Sequence, residues 1–70
     1  AAATGRVVRL GEFGRQVELL QQALDQRGYG VGVDGYFGPG TEGAVRQFQR
    51  DRGLTVTGVA SEDVWDQFGE

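Results

Sequence analysis

The chain has 70 residues, with seven Arg, ten Asp or Glu and no Cys, His, Lys or Met, which gives a formal net charge of −3. This length accommodates one small domain, and an acidic chain lacks the basic surface that nucleic acids and anionic membranes require. The missing residue types exclude disulfides, thiolate or imidazole metal sites, nucleophile–His pairs and Schiff-base chemistry.

The N-terminal end of the chain reads as a linker. We expect residues 1–6 to be a linker or frayed terminus and residues 7–70 to form the domain. Because no methionine is present, we expect the chain to have been cut from a longer polypeptide. No apolar run is long enough for a signal peptide or a membrane helix.

The first predicted helix begins near Gly14. Val17, Leu20 and Leu24 follow the spacing of one apolar helix face. Gly28 then stands where a left-handed C-terminal cap is favoured. This segment therefore predicts an amphipathic helix that ends at a glycine.

The second predicted helix takes Thr41 as its N-cap. Ala44, Val45 and Phe48 form its apolar stripe, and Gly53 ends it. The residues before it contain a turn signal, because an Asp at position 34 can bond its own backbone and the following glycine can adopt a positive φ.

The third predicted helix is short and takes Ser61 as its N-cap. Val64, Trp65 and Phe68 point inward, and Gly69 follows the last turn. Three helices that each end at a glycine predict an all-α fold, a small three-helix bundle.

The chain contains an internal repeat. Residues 30–35 (GVGVDG) align with residues 53–58 (GLTVTG), 23 positions later, and residues 17–21 echo residues 45–49. A helix–loop unit used twice predicts pseudo-twofold halves that share one core, with the apolar loop residues tucked under the helices. We expect the amides of Gln21 and Gln49, one in each half, to satisfy loop backbone groups.

The same residues carry a resemblance that covers residues 7–69. The pattern L-G-x-x-G-x-x-V-x-x-L-Q-x-x-L starts at Leu10, and D-G-x-F-G-x-x-T-x-x-A-V-x-x-F-Q starts at Asp34. These motifs, followed by Gly53-Leu54, Gly58, Trp65 and Phe68, resemble the peptidoglycan-binding domain family, a three-helix module of bacterial and phage wall hydrolases. The second half departs from the family pattern, with Thr57 for Asp, Ser61 for Gly and Val64 for Thr. A ligand surface shared by both loops would be altered on that side.

The resemblance implies a non-catalytic module that anchors a larger parent protein, a wall hydrolase, on bacterial peptidoglycan. It also implies an extracytoplasmic location, and we expect a monomer with no cofactor. The alternative is a docking or prodomain-like module that regulates the parent's catalytic domain. In related metalloproteinase prodomains a cysteine inhibits the zinc, and this chain has no cysteine.

We place the ligand groove around residues 34–41 and the starts of helices two and three. Tyr36 is suited to stack on a sugar face, the alternative being a half-buried loop tyrosine. Arg46 is suited to contact stem-peptide carboxylates, the alternative being a solvated residue paired with Glu42. The candidate ligand contacts are Asp34, Gly35, Tyr36 and Thr41, joined by Gln21, Phe13 and Arg46.

Other motifs carry no chemistry. The G-x-G-x-x-G letters at residues 38–43 are interrupted by Pro39, and no room remains for a dinucleotide-binding unit. Residues 34–45 lack the ligand pattern of an EF-hand loop. Carboxylates that could serve in glycoside cleavage fall at helix starts, where helix-dipole effects account for them. We therefore expect neither a metal site nor catalysis.

Overall fold

The structure is a computed structural model that describes residues 7–69. Three α-helices follow one another: α1 (Arg15–Gln26), α2 (Pro39–Asp51) and α3 (Glu62–Gln67). The predicted all-α, three-helix fold is confirmed. The predicted linker at residues 1–6 lies outside the described residues. None of the three helices has the length and apolar character needed to cross a membrane.

Two isolated antiparallel bridges attach the segment before α1 to the rest of the domain. Val8 exchanges backbone hydrogen bonds with Ala60, at 3.3 and 2.9 Å. Phe13 pairs with Tyr36 in the loop between α1 and α2. The segment before α1 is therefore fixed against both later loops.

Helix α2 begins earlier than the sequence indicated. The prediction of Thr41 as N-cap is wrong, because Gly38 is the N-cap and Pro39 opens the helix. A proline is favoured there, since the first helical N–H needs no partner and the ring fixes φ. The predicted N-cap of α3, Ser61, is confirmed in position, but its hydroxyl bonds the Asp63 carboxylate instead of a backbone N–H.

Both long helices end in the same hydrogen-bonded motif. After α1, the N–H of Gly28 donates to the Asp25 carbonyl at 3.0 Å and the N–H of Tyr29 to the Leu24 carbonyl at 3.1 Å. This is a Schellman motif, which satisfies carbonyls at the helix end. The same pair of bonds follows α2 at Gly53, and both glycines have the predicted positive φ.

The core lies where the apolar stripes of the helices meet. Phe48 packs against Phe68 with ring centroids 4.8 Å apart. Tyr29 covers the edge of the core beside Phe48, and the centroids of these two rings are 5.7 Å apart. Phe37 and Trp65 are also buried, and the predicted inward positions of Phe48, Trp65 and Phe68 are confirmed.

The two repeated loops contribute to the core unequally along their length. Val31 is buried and Leu54 packs partly buried against the core. Val33 and Val56, the second apolar residues of the two loops, are exposed. The expectation that all apolar loop residues tuck under the helices is therefore wrong for the second position. Residues two positions apart would share a face in a regular strand, but neither loop forms a strand here, so burial of the first apolar residue does not bring the second one to the core.

Candidate functional site

Gln21, on α1, holds the loop that connects α1 to α2. Its side chain is 1% exposed, and its Oε1 accepts hydrogen bonds from the N–H groups of Asp34 (3.0 Å) and Gly35 (2.9 Å). Its Nε2 donates to the Asp34 carboxylate (2.9 Å), the Tyr36 carbonyl (2.9 Å) and the Thr41 hydroxyl (3.0 Å). The predicted role of this amide, to satisfy loop backbone groups, is confirmed.

Gln49, on α2, repeats this arrangement in the second half. Its Oε1 accepts from the N–H groups of Thr57 (2.9 Å) and Gly58 (3.0 Å). Its Nε2 donates to the Thr57 hydroxyl (3.1 Å) and the Val59 carbonyl (3.2 Å). The pseudo-twofold repeat is therefore a repeat of one turn built around a buried amide.

The carboxylate of Asp34 closes the first turn. Its Oδ1 accepts from the N–H of Tyr36 at 3.0 Å as well as from Gln21. These hydrogen bonds, the Tyr36 N–H above all, hold the pKa of Asp34 below its ordinary value. The group is therefore an anion at neutral pH. In the second turn, the Thr57 hydroxyl accepts from the N–H of Val59 at 3.1 Å in the same way.

Gly35 completes this turn with a φ of +78°. A Cβ at this position would lie 3.2 Å from Oε2 of Glu18 on α1. Because only glycine adopts this conformation freely, the prediction of an Asp-Gly turn at this point is confirmed. Gly35 is also buried, so the turn lies directly against α1.

Phe13 and Tyr36 form an exposed aromatic pair. Their ring centroids are 4.8 Å apart with an interplanar angle of 37°, and the two residues are 73% and 40% exposed. The ring of Tyr36 lies so close to Gly38 that a Cβ there would be 2.9 Å from the ring. Two adjacent exposed rings are an apolar surface of the kind that marks binding sites.

A groove of about 540 Å³ lies between the loop after α1 and the N-terminal half of α2. Residues 29–32, Asp34 and Tyr36 form its loop wall, and small residues of α2 together with Gln47 form its helix wall. The volume falls in the range of about 300–1,000 Å³ that is typical of ligand sites. This groove is the candidate site, and the aromatic pair borders it through Tyr36.

Gly40 and Gly43 leave the helix wall of the groove without side chains. A Cβ at either position would meet no atom within 4 Å, so the fold does not require glycine there. Glycine in a helix interior costs about 0.5–1 kcal/mol relative to alanine. The equivalent positions of α3 carry Asp63 and Asp66, so the repeat unit accepts side chains. What the two glycines provide is an open groove.

The family comparison agrees with this architecture. Residues 13–68 match the sequence profile described as "Putative peptidoglycan binding domain". The chain belongs to the peptidoglycan-binding domain family.

The domain is similar in sequence and in structure to parts of known proteins. It is 43% identical to the spore cortex-lytic enzyme of Bacillus cereus over 60 residues. The aligned segment covers 84% of this chain and 23% of that enzyme. The structure is similar to a peptidoglycan-binding protein from Clostridioides difficile, with a TM-score of 0.88, 40% identity and coverage of 90% of this chain and 40% of that one. It is also similar to the SleB N-terminal domain, with a TM-score of 0.85, 39% identity and coverage of 90% and 88%. The chain spans about a quarter of the length of the curated relatives it matches.

As a peptidoglycan-binding domain, the chain is a non-catalytic binding module of a kind found in cell-wall lytic enzymes. No group of three or more potential metal ligands occurs among residues 7–69.

Three of the predicted contact residues line the groove, namely Asp34, Tyr36 and Thr41. Phe13 adjoins it by contact with the Tyr36 ring. Gln21 lies buried beneath the loop, with its amide bonded inside the domain, so it positions the groove wall. No described residue of α3 lines the groove, so a ligand contact at the start of α3 stays a prediction about another surface.

Arg46 lies on another side of α2. Its Nη2 is 3.7 Å from Oε2 of Glu42, as the solvated-face alternative predicts, and its Nε lies close over Gly58 in the second loop. It does not line the groove. A contact between Arg46 and stem-peptide carboxylates therefore remains a prediction about a different surface.

The departures from the family pattern also lie away from the groove. Thr57, Ser61 and Val64 belong to the second half, and none of them lines it. The Thr57 hydroxyl closes the second turn by hydrogen bonds, as the Asp34 carboxylate closes the first turn. These departures therefore leave the groove unchanged.

The sequence prediction placed the groove at the start of helix two but did not name the residues Gly40, Gly43 and Gln47 that line it there. Gly40, Gly43 and Gln47 recur at i, i+3 and i+7, which places them on one helix face. The signal was present as two glycines at helical spacing, Gly40 and Gly43, which also match the letters of a dinucleotide fingerprint.

Proposed function

We propose that this domain binds bacterial peptidoglycan in the groove beside α2 and thereby retains a larger wall-degrading enzyme on its substrate outside the cytoplasm. The observation that carries the proposal is the helix wall at Gly40 and Gly43, which is open although the fold would accept side chains. Without side chains, a polymer can approach the helix backbone closely. The neighbouring aromatic pair adds apolar surface against which the polymer packs.

The open shape of the groove suits a repeating polymer. A shallow site on a monomeric module gives weak binding per contact, and tethering to a catalytic domain or binding along a repeating lattice raises the effective concentration. Retention on the wall thus needs only modest affinity from each module.

Cosedimentation with purified insoluble peptidoglycan tests the proposal, with chitin and cellulose as control polymers. Gly43→Leu fills the groove from its helix wall, and Asp66→Leu places the same side chain at the equivalent exposed position of α3. We expect Gly43→Leu to lower the affinity for peptidoglycan about tenfold or more and Asp66→Leu to leave it unchanged. Circular dichroism and thermal unfolding are the controls that both variants must pass as folded proteins.

Equal retention of the two variants would place binding elsewhere on the domain. Absence of binding by the unaltered domain, together with its capture by the parent's catalytic domain, would replace the proposal by the docking role.

A further inference from the structure

We infer that the groove takes the uncharged glycan strand of peptidoglycan, with its N-acetylated sugars, and not the carboxylate-bearing stem peptide. This inference rests on the proposed function and names the part of the polymer that the same groove binds.

The charge of the groove is the first argument. Among residues 7–69, Asp34 is the only charged side chain that lines it, and its hydrogen bonds keep it ionised. At the Tyr29 end, the tyrosine hydroxyl donates to the carboxylate of Asp51 at 2.7 Å, which places a second anion nearby. An anionic ligand would meet repulsion at both positions, without a basic partner in the lining.

Among residues 7–69 no arginine lines the groove, and three arginines are engaged in contacts elsewhere in the domain. Arg27 donates to the Phe68 carbonyl at 3.2 Å and lies over the Phe68 ring. Arg52 lies over the ring of Phe48. Arg46 faces Glu42, as described above. Each of these positive charges is held away from the groove by a contact within the domain.

The N-terminus of α2 is the feature of the groove that would favour an anion. The attraction of this N-terminus for an anion is reduced, because Pro39 has no N–H to donate and Glu42 already places a carboxylate in the first turn. The balance of fixed charge around the groove therefore opposes a carboxylate ligand.

The polar and apolar groups that remain are suited to sugars. Both donors that bind Asp34 within residues 7–69, Gln21 and Tyr36, use Oδ1, and neither binds Oδ2. A carboxylate oxygen in this position accepts charge-assisted hydrogen bonds from hydroxyl or acetamido N–H groups. The aromatic pair offers ring faces to the C–H surfaces of a sugar, and Gln47 offers an exposed amide.

Competition experiments separate the two ligands. Two competitors are added separately to the cosedimentation of the domain with intact peptidoglycan. One is glycan strands in which the lactyl carboxylates left by removal of the stem peptides have been converted to amides, and the other is isolated stem peptides. We expect glycan strands to displace the domain and stem peptides to leave it bound. We also expect retention to change less than about twofold between about 50 mM and about 500 mM NaCl, since no ion pair with the ligand is formed.

Asp34→Thr gives a second test, because the expected change in affinity is opposite for a glycan ligand and for a carboxylate ligand. Thr57 shows that a threonine hydroxyl can close this turn, so the variant removes the charge and preserves the loop. For a glycan ligand, we expect about tenfold weaker binding from the loss of charge-assisted hydrogen bonds. For a carboxylate ligand, removal of the repelling anion would strengthen binding.

The outcomes also distinguish the inference from the proposed function. If Gly43→Leu abolishes retention while stem peptides compete and Asp34→Thr binds more tightly, the groove is the site and the glycan assignment is overturned. If Gly43→Leu retains full binding, the proposed groove itself is wrong.

Discussion

At the scale of single residues, two buried glutamine amides organise the domain. Each amide binds the backbone of one loop through both its oxygen and its nitrogen, because the glycine-rich loops offer few side chains that could do so. In the first half the amide also reaches the Thr41 hydroxyl, which connects the loop to the first turn of α2. Gln21 thereby sets the distance between the two walls of the groove.

Replacing Gln21 by leucine removes these bonds and leaves the N–H groups of Asp34 and Gly35 without their partner. A buried donor without a partner costs about 1–3 kcal/mol. We therefore expect Gln21→Leu to lower the free energy of unfolding by about 3 kcal/mol or more, measured by urea denaturation. Gln22→Leu, at the exposed neighbouring position, is the control and should change it by less than about 0.5 kcal/mol. Similar values for the two variants would contradict the structural role of the amide.

The turn at Asp34 should make stability depend on pH in acid. Its folded-state pKa lies below the ordinary value of 3.8, because the Tyr36 N–H and the Gln21 amide bind the carboxylate. Asp34 therefore stabilises the fold above its unfolded pKa, and this contribution is lost as the pH falls through the folded-state pKa. Urea midpoints measured between about pH 7 and about pH 2 should fall more steeply for the unaltered domain than for Asp34→Thr. Parallel curves would show that this carboxylate does not contribute.

At the scale of elements, α2 combines two opposite surfaces. One face supplies core residues such as Val45 and Phe48, and another supplies the smooth wall of the groove. The helix tolerates its glycines because its opposite face is anchored by tertiary packing and its two ends are closed by Pro39 and Gly53.

Gly43→Ala should separate stability from binding in this helix. A methyl group at position 43 meets no atom within 4 Å, and alanine is the better helix former. We expect the free energy of unfolding to rise by about 0.5–1 kcal/mol, and the thermal midpoint to rise by a few degrees. Binding to peptidoglycan should weaken, because the methyl group enters the groove. A variant that is both more stable and fully active in cosedimentation would show that the glycine serves another purpose.

At the scale of the whole molecule, the two halves share a turn and differ in surface. The α3 positions equivalent to the groove glycines are occupied by Asp63 and Asp66, and the position equivalent to Tyr36 is the partly buried Val59. The surface of α3 that is equivalent to the groove is therefore occupied by side chains.

This difference predicts the stoichiometry of binding. Titration of the domain with a peptide-free glycan oligosaccharide whose lactyl carboxylates have been converted to amides, followed by calorimetry, should give one ligand per chain. Asp66→Gly, which opens the equivalent surface of α3, should leave that number unchanged, since the position equivalent to Tyr36 is occupied by Val59 and offers no exposed ring. Two equivalents of bound ligand would show that the second half binds as well.

Much of the fold could be predicted from the sequence because its determinants are local. Helical spacing of apolar residues, glycines after helix ends and the Asp-Gly turn each act over a few neighbouring positions, and all three helices follow from them. The repeat also predicted the role of Gln21 and Gln49, since equivalent amides beside equivalent loops face equivalent backbone groups. The N-cap of α2 was placed three residues late because proline at the first helical position competes with the capping preference of Thr41.

The site depended on contacts between segments far apart in sequence. Phe13 and Tyr36 become a pair only when the segment before α1 is bound to the loop before α2. The i, i+4 spacing predicted the pairing of Arg46 with Glu42, but its approach to Gly58 depends on the packing of the second loop against α2. The sequence by itself therefore determined the helices, the turns, the core and the family. The tertiary structure alone decided which face of α2 stays open and which charges border it, because a groove is formed by the distance between two elements.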